Sequence, residues 1–248
     1  LQKSDLILIA ARPAMGKTAF VLNIAEYMAL HSKSTIAIFS LEMSKEQLVK
    51  RMLSMNSHVD SQKIRTGNLE DEDWDKLVGS VRRIGNSNLV IDDTSGITAQ
   101  ELRSKCRRLK IEKGLDLVVI DYLQLMSGSG RRKGDNRQQE ISDISRALKV
   151  MARELDIPVI ALSQLSRAVE QRPDKKPLLS DLRESGAIEQ DADMVMFLYR
   201  DEYYNPDTEE KGVAEVIIAK QRSGPTGSVK LAWLSQFTKF GNLETSMV

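Results

Sequence analysis

The chain has 248 residues, 41% of them hydrophobic and 29% charged, and a net charge of +1. This composition supports a sizeable core, and the balanced charge excludes a protein that binds nucleic acid through overall basicity. Cys106 is the single cysteine, which excludes an internal disulfide and a cysteine-rich zinc site. Because no apolar run has membrane-spanning length and the start lacks a signal-peptide pattern, we expect one cytoplasmic domain over residues 1–248 with no membrane partner.

The first predicted element is an apolar strand over Leu6–Ala10, and the predicted helix Ala19–Leu30 follows after a short loop. The loop ends in Gly16-Lys17-Thr18, and this strand–loop–helix order is typical of a phosphate-binding P-loop. Backbone N–H groups and the positive end of the helix dipole hold phosphates in such a loop. We expect the nucleotide to contact Ala11, Arg12, Pro13, Ala14, Met15, Gly16, Lys17, Thr18 and Ala19.

Two side chains of this loop have individual roles in the prediction. Lys17 reaches the β- and γ-phosphates, and the Thr18 hydroxyl ligates Mg²⁺. The pattern G-x-x-x-x-G-K-[ST] expects glycine at position 11, where this chain has Ala11. The motif match is therefore imperfect, but the position of this segment between a strand and a helix supports the P-loop interpretation.

Short apolar runs then alternate with amphipathic helices, a pattern typical of an α/β protein with a mostly parallel central sheet flanked by helices. Capping boxes at Ser44–Gln47 and Thr98–Glu101 mark two helix starts. The turn-rich link Ser223–Gly227 predicts that the last two strands form an antiparallel hairpin. The remaining predicted strands are Ile36–Ser40, Leu89–Ile91, Leu117–Ile120, Val159–Leu162, Met194–Tyr199, Val216–Lys220 and Val229–Trp233.

Three polar residues follow predicted strands, and the carboxyl ends of parallel strands meet at the ligand crevice. Asp121 ends an apolar strand and is predicted to hold Mg²⁺ beside the P-loop, as a Walker B aspartate. Glu42 is placed to polarise the water that attacks a γ-phosphate, but position alone slightly favours a residue that starts the next helix. Gln164 is a candidate γ-phosphate sensor or an ordinary strand end.

Two cations lie at the end of the strand over Val216–Lys220. Alternation along an extended chain points Lys220 and Arg222 to the same side. Together they could stabilise charge on a transferring phosphoryl group, including one bound to a neighbouring subunit. An equally weighted alternative is a solvated sheet edge, where lysine is common.

Two long polar loops are further candidates. The loop Ser166–Gly186 contains Asp181–Gly186, which could follow a phosphodiester chain through Arg183 and main-chain N–H groups. The basic loop Ser127–Arg137 carries Arg131, Arg132, Lys133 and Arg137. We interpret these charges as solvated.

Taken in order, the segments ARPAMGKT, FSLEMS, VVIDYLQLM, ALSQLSR, DLRESGAIEQDAD and AKQRSGPTG resemble the C-terminal, RecA-like ATPase domain of bacterial replicative DNA helicases of the DnaB type. The resemblance extends from about Leu1 to the end of the chain. This family often has A-R-P before its M-G-K-T, so Ala11 supports the resemblance. The resemblance implies a RecA-like P-loop fold. It also implies a homo-hexameric ring that hydrolyses ATP with Mg²⁺ at subunit interfaces and moves 5′→3′ on single-stranded DNA at replication forks.

The resemblance also implies roles for individual residues. Lys17 and Thr18 bind phosphate and Mg²⁺, Glu42 is the catalytic base, Asp121 is the Walker B residue and Gln164 senses the γ-phosphate. Lys220 and Arg222 act in trans on the neighbour's nucleotide, with Arg222 as the arginine finger. The DNA-contacting loop matches Arg183, Glu184 and Gly186.

Family partners include primase and a helicase loader. The family's N-terminal collar domain, which meets primase, is not encoded before Leu1, so we expect primase contact and ring closure to need more than this chain. The alternatives are a RecA-like DNA-dependent ATPase or recombinase, and a nucleotide-gated assembly module without unwinding activity.

Overall fold

The sheet that organises this protein has nine strands in the order β3-β2-β4-β5-β1-β6-β7-β8-β9. The structure is a computed structural model that describes residues 1–128 and 137–243, except for the side chains of residues 137 and 183–187. The strands are β1 Leu6–Ala11, β2 Ile36–Ser40, β3 Leu89–Asp92, β4 Leu117–Asp121, β5 Val159–Gln164, β6 Met194–Tyr199, β7 Val213–Gln221, β8 Gly227–Leu234 and β9 Lys239–Asn242.

Helices connect the parallel strands and cover both faces of the sheet. The α-helices are α1 Lys17–His31, α2 Lys45–Ser57, α3 Ser61–Thr66, α4 Asp71–Gly85, α5 Ala99–Lys113, α6 Arg137–Leu155, α7 Gly186–Asp191 and α8 Asp201–Tyr204. Short 3₁₀ helices cover Leu123–Leu125, Arg167–Gln171, Leu179–Ser185 and Ser235–Phe237. None of the helices in residues 1–128 and 137–243 is both long and apolar enough to cross a lipid bilayer.

The first strand shows why both faces are covered. Its six residues are all buried, and alternate side chains enter different core clusters. Leu8 packs with residues of α5 and α6, such as Leu102, whereas Ile9 packs with residues of α1 and α2, such as Leu22. Because side chains alternate across a strand, a continuous apolar run such as this one belongs in the middle of a two-faced sheet.

The predicted fold class is confirmed. Strands β1 to β6 pair in parallel, and β6 to β9 pair antiparallel, including the predicted hairpin of β7 and β8. Both predicted capping boxes are present, at Ser44 and Thr98. Strand β9 was not predicted because Phe240 is its single large apolar residue.

The topology determines which residues meet. The parallel strands place their carboxyl ends at one edge of the sheet, where Ser40 pairs with Asp121 and Ala11 pairs with Gln164. We call this the carboxyl edge. The opposite edge, where β1 begins and the antiparallel strand β7 ends, is called the amino edge below.

Candidate functional site

The P-loop connects β1 to α1 at the carboxyl edge. Gly16 caps α1 with φ 97°, in the left-handed region that glycine adopts without strain. A Cβ added at Gly16 would lie 3.0 Å from the Phe240 ring and 3.5 Å from Trp233. Both the backbone conformation and the close aromatic side chains therefore require glycine here, and α1 begins at Lys17, two residues earlier than predicted.

Lys17 points across the sheet towards the end of β5. Its Nζ donates a hydrogen bond of 2.9 Å to the Ser163 carbonyl and lies 5.4 Å from the centroid of the Tyr122 ring. Burial lowers the pKa of the Lys17 ammonium to about 8, although the charges of Asp121 and Glu42 oppose that shift. An added polyanion would raise this pKa again, because opposite charge favours the protonated amine.

Thr18 and Asp121 form a pair of hard oxygen donors. The Thr18 hydroxyl donates to the Asp121 carboxylate at 2.6 Å, and Asp121 is only 2% exposed. Burial raises the pKa of Asp121, while the Thr18 hydrogen bond and the Lys17 charge counteract the rise. Within the described part of the chain, no cluster of three or more His, Cys, Asp or Glu side chains could hold a metal by itself. This donor set fits Mg²⁺, which typically takes one or two carboxylates and completes its shell with phosphate and water oxygens.

Glu42 lies in the turn after β2 and is exposed. The Ser40 hydroxyl donates to the Met43 carbonyl at 2.7 Å, and the Leu41 N–H donates to the Asp121 carbonyl at 2.7 Å, so this turn is fastened to the end of β4. The next helix begins at Lys45, after the Ser44 cap. Glu42 therefore lies before the first residue of this helix and before its cap. Its charge acts on Lys17 and Asp121.

Gln164 is the last residue of β5 and is exposed, opposite Ala11 in the sheet. It therefore lies beside the P-loop, where the sequence placed it. Arg12, which we expected among the nucleotide contacts, has its guanidinium turned elsewhere: it donates to Glu170 and to the Leu165 carbonyl, each at 2.9 Å.

Sequence reasoning missed two arginines near this site. Arg51 of α2 is half-buried, and the charges of Asp121 and Glu42 act on it, opposing the lowering of its pKa by burial. Arg200 follows β6, donates to the Ala14 carbonyl at 3.2 Å and lies over the Trp233 ring at 4.9 Å. Neither arginine belongs to a local sequence motif, because tertiary structure brings both of them close to the P-loop.

Lys220 and Arg222 lie at the amino edge. Lys220 pairs with Val195 near the start of β6, while the neighbouring residue of that strand, Met194, pairs with Ile7 in β1. At about 3.3 Å per residue, the length of β1 separates this position from the P-loop of the same chain. The two cations therefore share one side, as predicted, but cannot reach the Lys17 site of their own chain.

Both cations donate hydrogen bonds to backbone carbonyls near the end of α7. Lys220 Nζ donates to the Glu189 carbonyl at 2.5 Å. Arg222 donates to the Gln190 carbonyl at 3.0 Å and lies 3.6 Å from an Asp193 carboxylate oxygen. The Arg222 side chain is still 53% exposed, so it is available to a second molecule.

The predicted DNA-contacting residues lie at the junction of a 3₁₀ helix and α7. Arg183 and Glu184 fall in Leu179–Ser185, and Gly186 begins α7. Their side chains lie outside the part that the structure describes, as does most of the basic loop that includes Arg131, Arg132 and Lys133.

A family model described as "DnaB-like helicase C terminal domain" matches residues 1–242. The chain is 60% identical over 243 residues to the replicative DNA helicase DnaC of Bacillus subtilis (strain 168), a match that covers 98% of this chain and 53% of that protein. It has the same identity and coverage with the replicative DNA helicase DnaB of Geobacillus stearothermophilus. The chain thus spans about half the length of the curated relatives it matches.

Solved structures agree with these relatives. One that is described as an ATPase domain superimposes with a TM-score of 0.94 at 48% identity, covering 98% of this chain and 86% of that one. A DnaB-like replicative helicase, described with its interactions with primase, gives the same TM-score and identity and is covered over 58% of its length. The fold is therefore the RecA-like α/β fold of these ATPase domains.

Proposed function

Because the chain belongs to the DnaB-like helicase C-terminal domain family, we propose that it is the ATP-hydrolysing motor of a replicative DNA helicase. In this proposal, ATP hydrolysis between neighbouring copies drives 5′→3′ movement on single-stranded DNA and separation of the duplex. The observation that carries it is the division of charged groups between the edges. Lys17, Thr18 and Asp121 lie at the carboxyl edge, while Lys220 and Arg222 lie at the amino edge.

Nucleotide binding involves the P-loop. Its backbone N–H groups and the start of α1 hold the phosphates, and the Lys17 ammonium exchanges its Ser163 carbonyl for phosphate oxygens. Thr18 and Asp121 would hold Mg²⁺, which neutralises charge on the phosphate oxygens. Arg200 contacts Ala14 and Trp233 lies near Gly16, which supports a polar and aromatic wall beside the same loop.

Hydrolysis requires a base and compensation of charge. Glu42 accepts a proton from water while that water's oxygen bonds to the γ-phosphorus, and the bond from phosphorus to the bridging oxygen of ADP breaks. Gln164 orients the γ-phosphate or the water. Arg51, whose charge interacts with Asp121 and Glu42, keeps negative charge in the crevice balanced.

The neighbouring copy completes the site. Lys220 and Arg222 of one copy would approach the γ-phosphate held by the next copy and stabilise the charge that develops on it. An interface of this head-to-tail kind closes into a ring when the rotation between copies allows it. We propose the homo-hexameric ring that the resemblance implies.

The remaining partners are proposed from the same family membership. Single-stranded DNA would contact Arg183, Glu184 and Gly186. A DnaB-like relative is described with its interactions with primase, and we propose primase and a helicase loader as partners of the longer protein. The proposed location is the bacterial cytoplasm, at replication forks in the nucleoid.

The direct test is unwinding of a forked DNA duplex with ATP and Mg²⁺. The wild-type chain should hydrolyse ATP faster with single-stranded DNA and should separate the fork. The Lys17→Ala variant should do neither, and the exposed Lys113→Ala variant should match wild type. ATP turnover that ignores DNA and leaves the fork intact would contradict a motor and favour a nucleotide-gated assembly module. Extended filaments in electron micrographs would favour a recombinase.

A further inference from the structure

Arg12 makes an ion pair that phosphate binding does not require. It belongs to the P-loop but is only 9% exposed. Its Nε donates to a Glu170 carboxylate oxygen at 2.9 Å, and its NH1 donates to the Leu165 carbonyl at 2.9 Å. The P-loop is thereby fastened to the segment that follows β5, directly after Gln164.

A second ion pair fastens the far end of that segment. Arg172 contacts Asp181 through two parallel hydrogen bonds, NH1 to Oδ1 at 2.8 Å and NH2 to Oδ2 at 2.6 Å. Asp181 is 4% exposed and also accepts the Leu178 N–H at 2.7 Å. Burial alone would raise the pKa of Asp181, but these hydrogen bonds hold it below its ordinary value. Such a bidentate pair fixes orientation as well as distance.

The two pairs are joined by a short stretch of chain. Glu170 and Arg172 flank the end of the 3₁₀ helix Arg167–Gln171. In addition, the Ser166 N–H donates to the Asp181 carbonyl at 3.3 Å. A continuous set of contacts therefore leads from the P-loop, through residues 165–172, to the residue that comes two positions before Arg183.

We propose that Glu170 and Arg172 are positioning residues that transmit the nucleotide state of the P-loop to the segment at residues 183–186. This inference rests on the proposed function, because it assumes that ATP and DNA bind to the same chain. In each pair one partner, Arg12 or Asp181, is buried and makes a further hydrogen bond to the backbone. Displacement of the P-loop or of Gln164 by phosphate would therefore move residues 165–181 as a unit. Linkage requires the reverse effect as well: DNA binding would change nucleotide affinity by the same factor.

A purely structural role for these pairs gives a different expectation. If Glu170 only stabilised its loop, its loss would lower ATP turnover with and without DNA in proportion. If Glu170 transmits a signal, its loss would leave turnover without DNA intact and reduce the acceleration by DNA. The ratio of the two rates therefore separates the roles.

The experiment measures that ratio with a poly-dT oligonucleotide for wild type, Glu170→Gln and Glu170→Asp. We expect the Gln variant to retain its DNA-free rate within about twofold and to lose about fivefold or more of its DNA stimulation. Stabilisation against heat by a non-hydrolysable ATP analogue should be unchanged, which confirms an intact P-loop. The Asp variant, which keeps the charge, should recover part of the stimulation.

A matched control removes an ion pair elsewhere. Glu154 contacts Arg103 and Arg107, and its side chain is 28% exposed, against 39% for Glu170. Glu154→Gln should leave the ratio at the wild-type value. An unchanged ratio in Glu170→Gln, or a proportional fall of both rates, would overturn this inference while wild-type stimulation still supports the proposed function. A wild-type chain that DNA does not stimulate would overturn both.

Discussion

The carboxyl and amino edges of the sheet differ in which charged side chains they carry and in what those side chains contact. At the carboxyl edge, the Thr18 hydroxyl, the Asp121 carboxylate and the Lys17 ammonium are packed together and hydrogen-bonded within the chain. At the amino edge, Lys220 and Arg222 rest on the carbonyls of Glu189 and Gln190, and Arg222 remains half exposed. In the proposed mechanism, the first edge receives a ligand and the second presents charge to another molecule.

In the proposed mechanism, this difference means that one chain by itself holds an incomplete site. Charge that develops on a transferring phosphoryl group needs cations. Within the described residues, the carboxyl edge offers Lys17, the half-buried Arg51, and Arg200, which is paired with Glu202. Lys220 and Arg222, at the amino edge, are too far along the sheet to reach the P-loop of the same chain. We infer that turnover depends on contact between copies.

Among variants that test this difference between the two edges, we expect Arg222→Ala to show the largest loss of ATP turnover. Loss of an arginine finger lowers kcat by roughly 10³–10⁵, and binding of ATP should be retained because Arg222 is remote from its own P-loop. The measurement is steady-state ATP hydrolysis beside equilibrium binding of a fluorescent ATP analogue. Arg108→Ala, on the exposed surface of α5 and paired with Glu112 at 3.8 Å, serves as control. Loss of binding in step with turnover would contradict the assignment.

Glu42→Gln tests the carboxyl edge. Removing a general base lowers kcat by roughly 10²–10⁴, while the amide preserves shape, so single-turnover hydrolysis should be slow and nucleotide affinity close to normal. Glu46→Gln, an exposed glutamate in the first turn of α2, should hydrolyse ATP like wild type. Wild-type rates for Glu42→Gln would remove Glu42 from the mechanism.

The pKa of Lys17 gives a test based on pH. Burial lowers the pKa of this amine to about 8, and the negative charge of a bound triphosphate would raise it. The protonated amine binds phosphate, so ATP affinity should be nearly flat below pH 8 and should fall about tenfold per pH unit above it. Titrations of a fluorescent ATP analogue from neutral to alkaline pH measure this. The Lys17→Arg variant should bind ATP more weakly than wild type, but its affinity should not fall at alkaline pH. An equal fall of affinity in that variant would mean that another group titrates.

The smallest expected effect concerns Gly16. Alanine at this left-handed position costs about 1–2 kcal/mol of folding free energy, and its Cβ would press on Phe240. Urea unfolding should show this loss, together with weaker ATP binding. Gly85→Ala, where an added Cβ meets nothing within 4 Å, should unfold at the wild-type urea concentration or above. Equal stability of the two variants would contradict the strain argument.

Local sequence predicted the parts of the fold that local physics controls. Continuous apolar runs such as Leu6–Ala10 indicate strands covered on both faces, and the capping hydrogen bonds of Ser44 and Thr98 depend on residues three positions away. Strand β9 was missed because its order comes from pairing with β8, and Phe240 packs against Trp233 with ring centroids 4.7 Å apart. Neither contact leaves a pattern within those four residues.

Local sequence likewise predicted some residues of the candidate site and not others. Lys17, Thr18 and Asp121 could be predicted because each follows a recognisable strand. Arg51 could not, because tertiary packing of α2, and not a local motif, brings it near Asp121. The sequence predicted a common side for Lys220 and Arg222, but their distance from the P-loop follows from the antiparallel direction of β7.

An equimolar mixture of the Lys17→Ala and Arg222→Ala chains tests most directly whether the two edges belong to one site shared between copies. Each variant alone should be nearly inactive in ATP hydrolysis. After mixing, about a quarter of the head-to-tail interfaces would join an intact P-loop to an intact Arg222, so activity should reappear. A mixture as inactive as its components would contradict a site completed in trans.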